Sequence, residues 1–394
     1  MKKIHGNHFI EFIFRNVISS DRRKSRNLLF ITRFLHSVYA PVEITRKLIS
    51  AKRTILSLIF VIFSFSAFAV NWEDFSLSVE PLFGLKCGQI DEYVFLKESN
   101  FSNDKLSELN WEIKPELYYG IKIQGAWRRF FEESYFSTGI PMETGLMMDS
   151  DWQNNQPTAV ALENAQGRNY KTAYSEHDNH LDYDINFGFK GGYKFKIFDW
   201  FTAKPAIAFE YQNIKFTGKN GKGWYGYGSD ENQSFRAKNG YYAAYNDSEN
   251  QTVIKFSGRI ITYNRIADYL WLGSDFSFII PCEFLKNFTF DTGFFFAPYV
   301  YAVSYDSHLG REYDFADKTT GFFAAFKWNL GTEYKINERH SILLSANYFY
   351  MRVLRGDDYQ KKSSETTYNK SNDCDGGAGA KYFDMTLSYR FKIF

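Results

Sequence analysis

The sequence predicts an all-β fold: a ten-stranded antiparallel transmembrane β-barrel with long extracellular loops, following an N-terminal signal peptide. Three observations carry this prediction. The first is long period-2 alternation, clearest in HLDYDINFGFKGGYKFKIF at 180–198. There Leu181, Tyr183, Ile185, Phe187, Phe189, Tyr193 and Phe195 alternate with Asp182, Asp184, Asn186, Gly188, Lys190, Gly192, Lys194 and Lys196. That span exceeds an ordinary strand of about five or six residues. The second is composition: 41 Phe and 28 Tyr lift the aromatic share to 20%, which favours strands. The third is that no run of about 18 apolar residues follows Ala69, which argues against membrane-spanning helices. Long strands with one apolar and one polar face suit a closed barrel in lipid, because closure pairs every backbone group and leaves no edge. The apolar face then points outward.

Taken in order, residues 46–69 read RKLISAKRTILSLIFVIFSFSAFA. The basic group Arg46, Lys47, Lys52 and Arg53, the apolar run from Ile55 to Phe65 and the small residues Ala67 and Ala69 describe a secretory signal peptide cleaved after Ala69. The apolar run is short for a membrane anchor, which is the competing reading. Residues 1–45 form an unusually long basic segment ahead of that signal and point to a mis-assigned start. Of the 47 basic residues 12 precede Val70, but only 3 of the 45 acidic ones do, so the chain from 70 to 394 carries 35 against 42, a net −7. That balance gives no case for nucleic acid binding.

Strand candidates follow at 73–87, 108–124, 128–147, 180–198, 201–217, 252–266, 267–280, 288–304, 320–336, 341–355 and 379–394. Barrels of this class favour even strand numbers, so 252–280 is expected to be one long strand, which brings the count to ten. TGFFAAFKWNLGTEYKI at 320–336 repeats the alternation, and the last strand sets Phe383, Met385, Leu387, Tyr389, Phe391 and Ile393 against polar neighbours and ends on Phe394. KIFDW at 196–200 and INERH at 336–340 read as short periplasmic turns. The stretches 88–107, 141–179, 217–251, 305–319 and 356–378, rich in Gly, Asn, Asp and Ser, read as outward-facing loops. Nothing suggests a second domain within 70–394.

Two pairs stand out at the outward rim. In an extended segment, residues i and i+2 share a face. MMDSDW therefore sets Asp149 beside Asp151, just above the third strand, and YDSH sets Asp306 beside His308, just above the seventh. Like charges held so close perturb each other's titration, and an aspartate beside a histidine orients the ring and stabilises its charged form, so that the histidine can take a proton from water. Either pair alone is more often a solvated turn. His177 and His180 resemble a metal-binding HxxH, but at i and i+3 on an extended segment they face opposite ways, so no metal is expected. The three cysteines show no metal-ligand spacing. Closure makes the first and last strands neighbours, which allows a Cys87–Cys374 disulfide.

In order and spacing, LSELNWEIKPELYYG at 106–120, MMDSDW at 147–152, HLDYDINFGFKGG at 180–192, EYQNIKFTGKNGKGWYGY at 210–227 and YDSH at 305–308 resemble the omptins, a family of ten-stranded outer-membrane endoproteases. The resemblance runs from about Phe75 to Phe394. It implies peptide-bond hydrolysis by an activated water between an aspartate pair, here Asp149 and Asp151, and an Asp–His dyad, here Asp306 and His308, with no covalent intermediate and no metal. It further implies extracellular peptide or protein substrates cleaved near basic residues, an active site facing out of the bacterial outer membrane, and a monomeric barrel. Of two acidic groups that select basic residues, one falls on Glu92, whereas the second, two residues before the dyad aspartate, falls on Ser304. That departure makes strict basic specificity doubtful. Asp178 is a further candidate groove acid. No cofactor is implied beyond lipopolysaccharide as a lipid activator on the outer wall, with Lys215, Lys219 and Lys222 as candidates by position. The alternative is a non-catalytic barrel, an adhesin or a degenerate omptin.

Overall fold

The computed structural model describes residues 74–157, 162–226 and 238–393. The expected extension at 1–45 and the signal segment at 46–69 lie outside them. Strands β1 (Phe75–Leu96), β2 (Lys105–Trp127), β3 (Phe130–Gly139), β4 (Met142–Asp151), β5 (Ala173–Tyr193), β6 (Phe195–Phe198) and β7 (Phe201–Tyr225) build the first half. A one-turn helix, α1 (Leu162–Ala165), sits between β4 and β5. The second half comprises β8 (Thr252–Phe278), β9 (Phe288–His308), β10 (Tyr313–Gly321), β11 (Ala325–Lys335), β12 (His340–Lys362) and β13 (Asn369–Lys392). All neighbours pair antiparallel, and the ladder from Ser78↔Lys392 to Leu96↔Cys374 joins β1 to β13 and closes the ring.

These segments make a ring of ten strands. β3 and β4 both pair with β2 and β5 and are two halves of one interrupted strand. β10 and β11 stand in the same relation to β9 and β12. Residues 252–278 form a single strand, as the even count demanded. The outer face carries an apolar belt that includes Phe83, Leu85, Ile207, Phe294, Trp328, Leu330, Ile342, Leu344, Met385 and Leu387, all exposed on the protein surface. Aromatic side chains crowd its turn end, where Trp200 stacks on Phe198 at 5.5 Å and Phe201 on Phe278 at 5.1 Å. Such a belt flanked by aromatic girdles is what a hydrocarbon slab selects.

Of the five stretches read as loops, 88–107, 305–319 and 356–378 are largely strand, and 141–179 and 217–251 also carry strand residues. The outward tips shrink to 97–104, 152–172, 226–251, 309–312 and 363–368, and β1, β2, β5, β7, β9, β12 and β13 all continue beyond the predicted ends. The reason is a change of phase. Above the belt the outer face is polar, with Glu108, Asn110 and Glu112 of β2 linked to Asp91 and Lys114, while Leu109, Trp111 and Ile113 point inward and are buried. Leu181 illustrates the same shift: a bulge between Leu181 and Tyr183 turns it into the interior, not onto the outer face with Tyr183 and Ile185.

The interior is filled in layers. In the lower half, buried and half-buried charges pair: Lys86 with Glu116 at 3.1 Å and with Asp184, Lys190 with Glu133 at 3.1 Å and Asp275 at 2.7 Å, Lys327 with Glu210, and Arg390 with Glu80 at 3.1 Å and Glu333 at 2.6 Å. Above them Trp111 is sandwiched between Phe216 at 5.7 Å and Tyr263 at 5.4 Å, and with Ile90, Met147 and Ile261 it forms an apolar layer closed to solvent. The suggested disulfide does not form. Cys87 pairs across with Phe383 and Cys374 with Leu96, nine residues further along β1, a separation of roughly 30 Å at the usual strand rise, and all three cysteines are free.

Candidate active site

The aspartate pair and the dyad sit in strands, not in the loops above them. Asp149 and Asp151 occupy the outward end of β4 on the same inward stripe as buried Met147, and the β2–β4 ladder pins them at Leu109↔Asp149 and Ser107↔Asp151. Asp306 and His308 close β9 on the inward stripe that runs up through Val300, Ala302 and Ser304. Period-2 geometry therefore places each pair on one face of a rigid strand, and ring closure sets the two strands across the cavity from each other.

His308 Nε2 lies 2.7 Å from Asp306 Oδ2, and the edge of Phe315 packs against the imidazole at 5.5 Å between centroids. With Nε2–H donating to Asp306, Nδ1 is the nitrogen left to accept a proton. Burial disfavours the charged ring, but the charge and hydrogen bond of Asp306, joined by the charge of Asp149, outweigh it and raise the His308 pKa above 6.5. Burial and the neighbouring Asp151 push Asp149 up to about 7. Asp151 is also raised, chiefly by burial, against the pull of Arg311 and hydrogen bonds from Ser107 and Gln153. Both aspartates feel the charge of His308, so their titration is linked to that of the imidazole.

Beneath the dyad, Glu92 is 4% exposed with Oε2 unpartnered, and its pKa is driven well above the carboxylate range by burial and by Asp306, Asp317, Asp149 and Asp358. Ser304 is buried on the same cavity wall and shares a 2.9 Å hydrogen bond with Tyr263 Oη. Asp178 lies apart from these residues: it is exposed on the outer wall, where it accepts a hydrogen bond from Asn220 Nδ2, because even-numbered residues of this part of β5 point away from the interior. His177 faces inward and bonds Ser175 Oγ at 3.0 Å, while His180 faces outward beside Asp182 at 3.2 Å, the opposition their spacing predicts. Lys215, Lys219 and Lys222 line β7, with Lys215 4.0 Å from Asp182.

Three charged residues were missed. Arg311, in the tight turn after β9, is a main positive influence on the aspartate pair. Asp317 and Asp358 are buried and in register with each other and, for Asp317, with Ser304. The signal was the turn itself: reading Leu309–Glu312 as a four-residue hairpin places Asp317 opposite Ser304 by simple counting.

The sequence pattern of the omptin family matches residues 73–233 and 222–393. Among solved structures, the outer membrane protease OmpT from Escherichia coli superposes with a TM-score of 0.64 at 14% identity, covering 81% of this chain and 97% of that one. The translocator domain of the autotransporter NalP from Neisseria meningitidis gives a TM-score of 0.31 at 7% identity, covering 87% and 95%. No curated protein sequence matches.

Proposed function

The chain belongs to the omptin family of outer-membrane proteases, with its site facing the cell exterior, and from that premise we propose that it hydrolyses extracellular peptides or proteins by a water activated between Asp306–His308 and Asp149–Asp151. The observation that supports this most is the ion pair of 2.7 Å between His308 and Asp306, on one cavity wall, with the carboxylates of Asp149 and Asp151 acting electrostatically on the same imidazole. Asp306 fixes the tautomer, and Nδ1 of His308 removes a proton from water as its oxygen attacks the scissile carbonyl carbon. Ionised Asp149 and Asp151 accept hydrogen bonds from that water and stabilise the imidazolium as it forms. The tetrahedral intermediate then expels the amine, which takes the proton from His308, so no bond to the enzyme forms at any stage.

Cleavage next to basic residues is favoured by the buried acidic groups beneath the dyad. A lipopolysaccharide requirement would act through the outer-wall lysines of β7, remote from this chemistry. The test is His308→Ala, assayed on peptides containing Arg or Lys in detergent with added lipopolysaccharide. Cleavage should fall by about 10²- to 10⁴-fold. Undiminished cleavage would remove the mechanism and leave the non-catalytic barrel as the better reading.

A further inference from the structure

Resting on that reading, we propose that Asp317 restores the second carboxylate of the substrate-selecting well that Ser304 lacks, and that Gly376 is what lets it reach there. Ser304 is neutral and engaged with Tyr263 Oη. Directly across the β9–β10 ladder from it stands Asp317, 3% exposed, on the cavity-facing stripe that also carries Phe315 and Thr319. Its carboxylate does not point straight across the cavity. A Cβ placed on Gly376 of β13 would collide with Oδ1, Cγ and Cβ of Asp317, so the side chain lies flat over that glycine, along the wall towards β1. β1 is where Glu92 sits, opposite Ala378 of β13.

Gly376, Ala378 and Ala380 thus form the buried stretch of β13 between the two acids, and none of them carries more than a methyl group. Glu92 Oε2 is buried in this region without a partner, and so is Asp306 Oδ1 directly above. The strongest charges acting on Glu92 and on Asp317 are carboxylates, so burial and mutual repulsion raise both. Asp358, opposite Asp317 on β12, is partly relieved by Ser371 and Lys97. Arg265, the buried cation across β8 from Ser304, is committed to Gly379 O and Gln212 Oε1, so these acids keep unused acceptor atoms that a guanidinium or ammonium side chain of a substrate would satisfy. The acid has moved one strand sideways, and the preference for a basic residue at the cleavage site survives the loss at position 304.

The decisive experiment compares kcat/KM for two peptides identical except for Arg or citrulline at the cleavage site. Asp317→Asn should lower the Arg-to-citrulline ratio by about 10- to 100-fold, mainly through KM. Ser304→Asp combined with Asp317→Asn should restore most of it. Binding of arginine amide to the His308→Ala variant, followed by calorimetry, should weaken when Asp317→Asn is added. This arm stands even if the protein cleaves nothing, and so separates failure of the well from failure of the catalytic reading. An unchanged ratio, or equal arginine amide binding with and without Asp317, overturns the proposal. Heat unfolding of each variant in detergent checks that it is folded.

Discussion

The two halves of the barrel interior hold similar numbers of acidic groups but treat them in opposite ways. Below the Trp111 layer the carboxylates named above have cations: Glu116 and Asp184 share Lys86, Glu133 and Asp275 share Lys190, and Glu80 and Glu333 share Arg390. Above it Glu92, Asp149, Asp151, Asp306 and Asp317 crowd together, with His308 and Arg311 as the nearby positive groups that act on the aspartate pair and the dyad. Matched charge fills space in a narrow lumen and fixes strand register. Unmatched charge costs stability and persists where it has work to do on a ligand. The contrast separates scaffold from site without reference to any relative.

The strongest way to break this contrast is to neutralise one acid in each half. In the upper half, Asp149→Asn should reduce peptide cleavage by about 10²- to 10⁴-fold while leaving the barrel as resistant to unfolding as before or more so by about 0.5–2 kcal/mol, because a repelling, desolvated charge is gone. Lost stability together with lost activity would show that the pair is scaffold after all. In the lower half, Lys86→Met should strand Glu116 and Asp184 and destabilise the barrel by about 3–5 kcal/mol. Urea unfolding in lipid vesicles, followed by tryptophan fluorescence, measures it, and an unshifted midpoint would mean that the lower pairs do not hold the lumen together.

The pH profile sharpens the comparison on a smaller scale. His308 acts as a base only when neutral, and its raised pKa postpones that form to higher pH; Asp149 loses its proton at about 7. Cleavage should therefore rise as pH climbs through neutrality and fall on acidification, at least about tenfold per unit well below both values. A flat profile between about pH 5 and 8 contradicts the assignment of His308 as base. The smallest effect is expected at the surface, where Arg355 makes a bidentate pair with Asp104 at 2.6 and 2.8 Å. Arg355→Gln should cost less than about 1 kcal/mol, since exposed pairs contribute little, and the same unfolding assay would detect more.

The lower barrel was legible because lipid imposes one rule on every strand: apolar outward, polar inward. Phe383, Met385 and Leu387 obey it, and so do Phe187 and Phe189. Above the lipid the rule inverts, as Leu109, Trp111 and Ile113 show against Glu108, Asn110 and Glu112, so strand reads as loop to an eye set for the first pattern. The four residues proposed to act on water could be placed pairwise on one face because i, i+2 spacing survives in either phase. Asp317 was not, since its meaning depends on a cross-strand partner that only the hairpin register reveals. The cysteine pairing failed for the same reason: adjacency of β1 and β13 says nothing about height along them.

The aromatic sandwich of Trp111, Phe216 and Tyr263 has a consequence for the cell that carries this cylinder. A peptide admitted at the mouth meets a dead end, so both fragments must leave by the door through which the intact chain came in. The barrier between outside and periplasm is kept while cutting proceeds, and the tips around the entrance can vary in sequence without opening a leak.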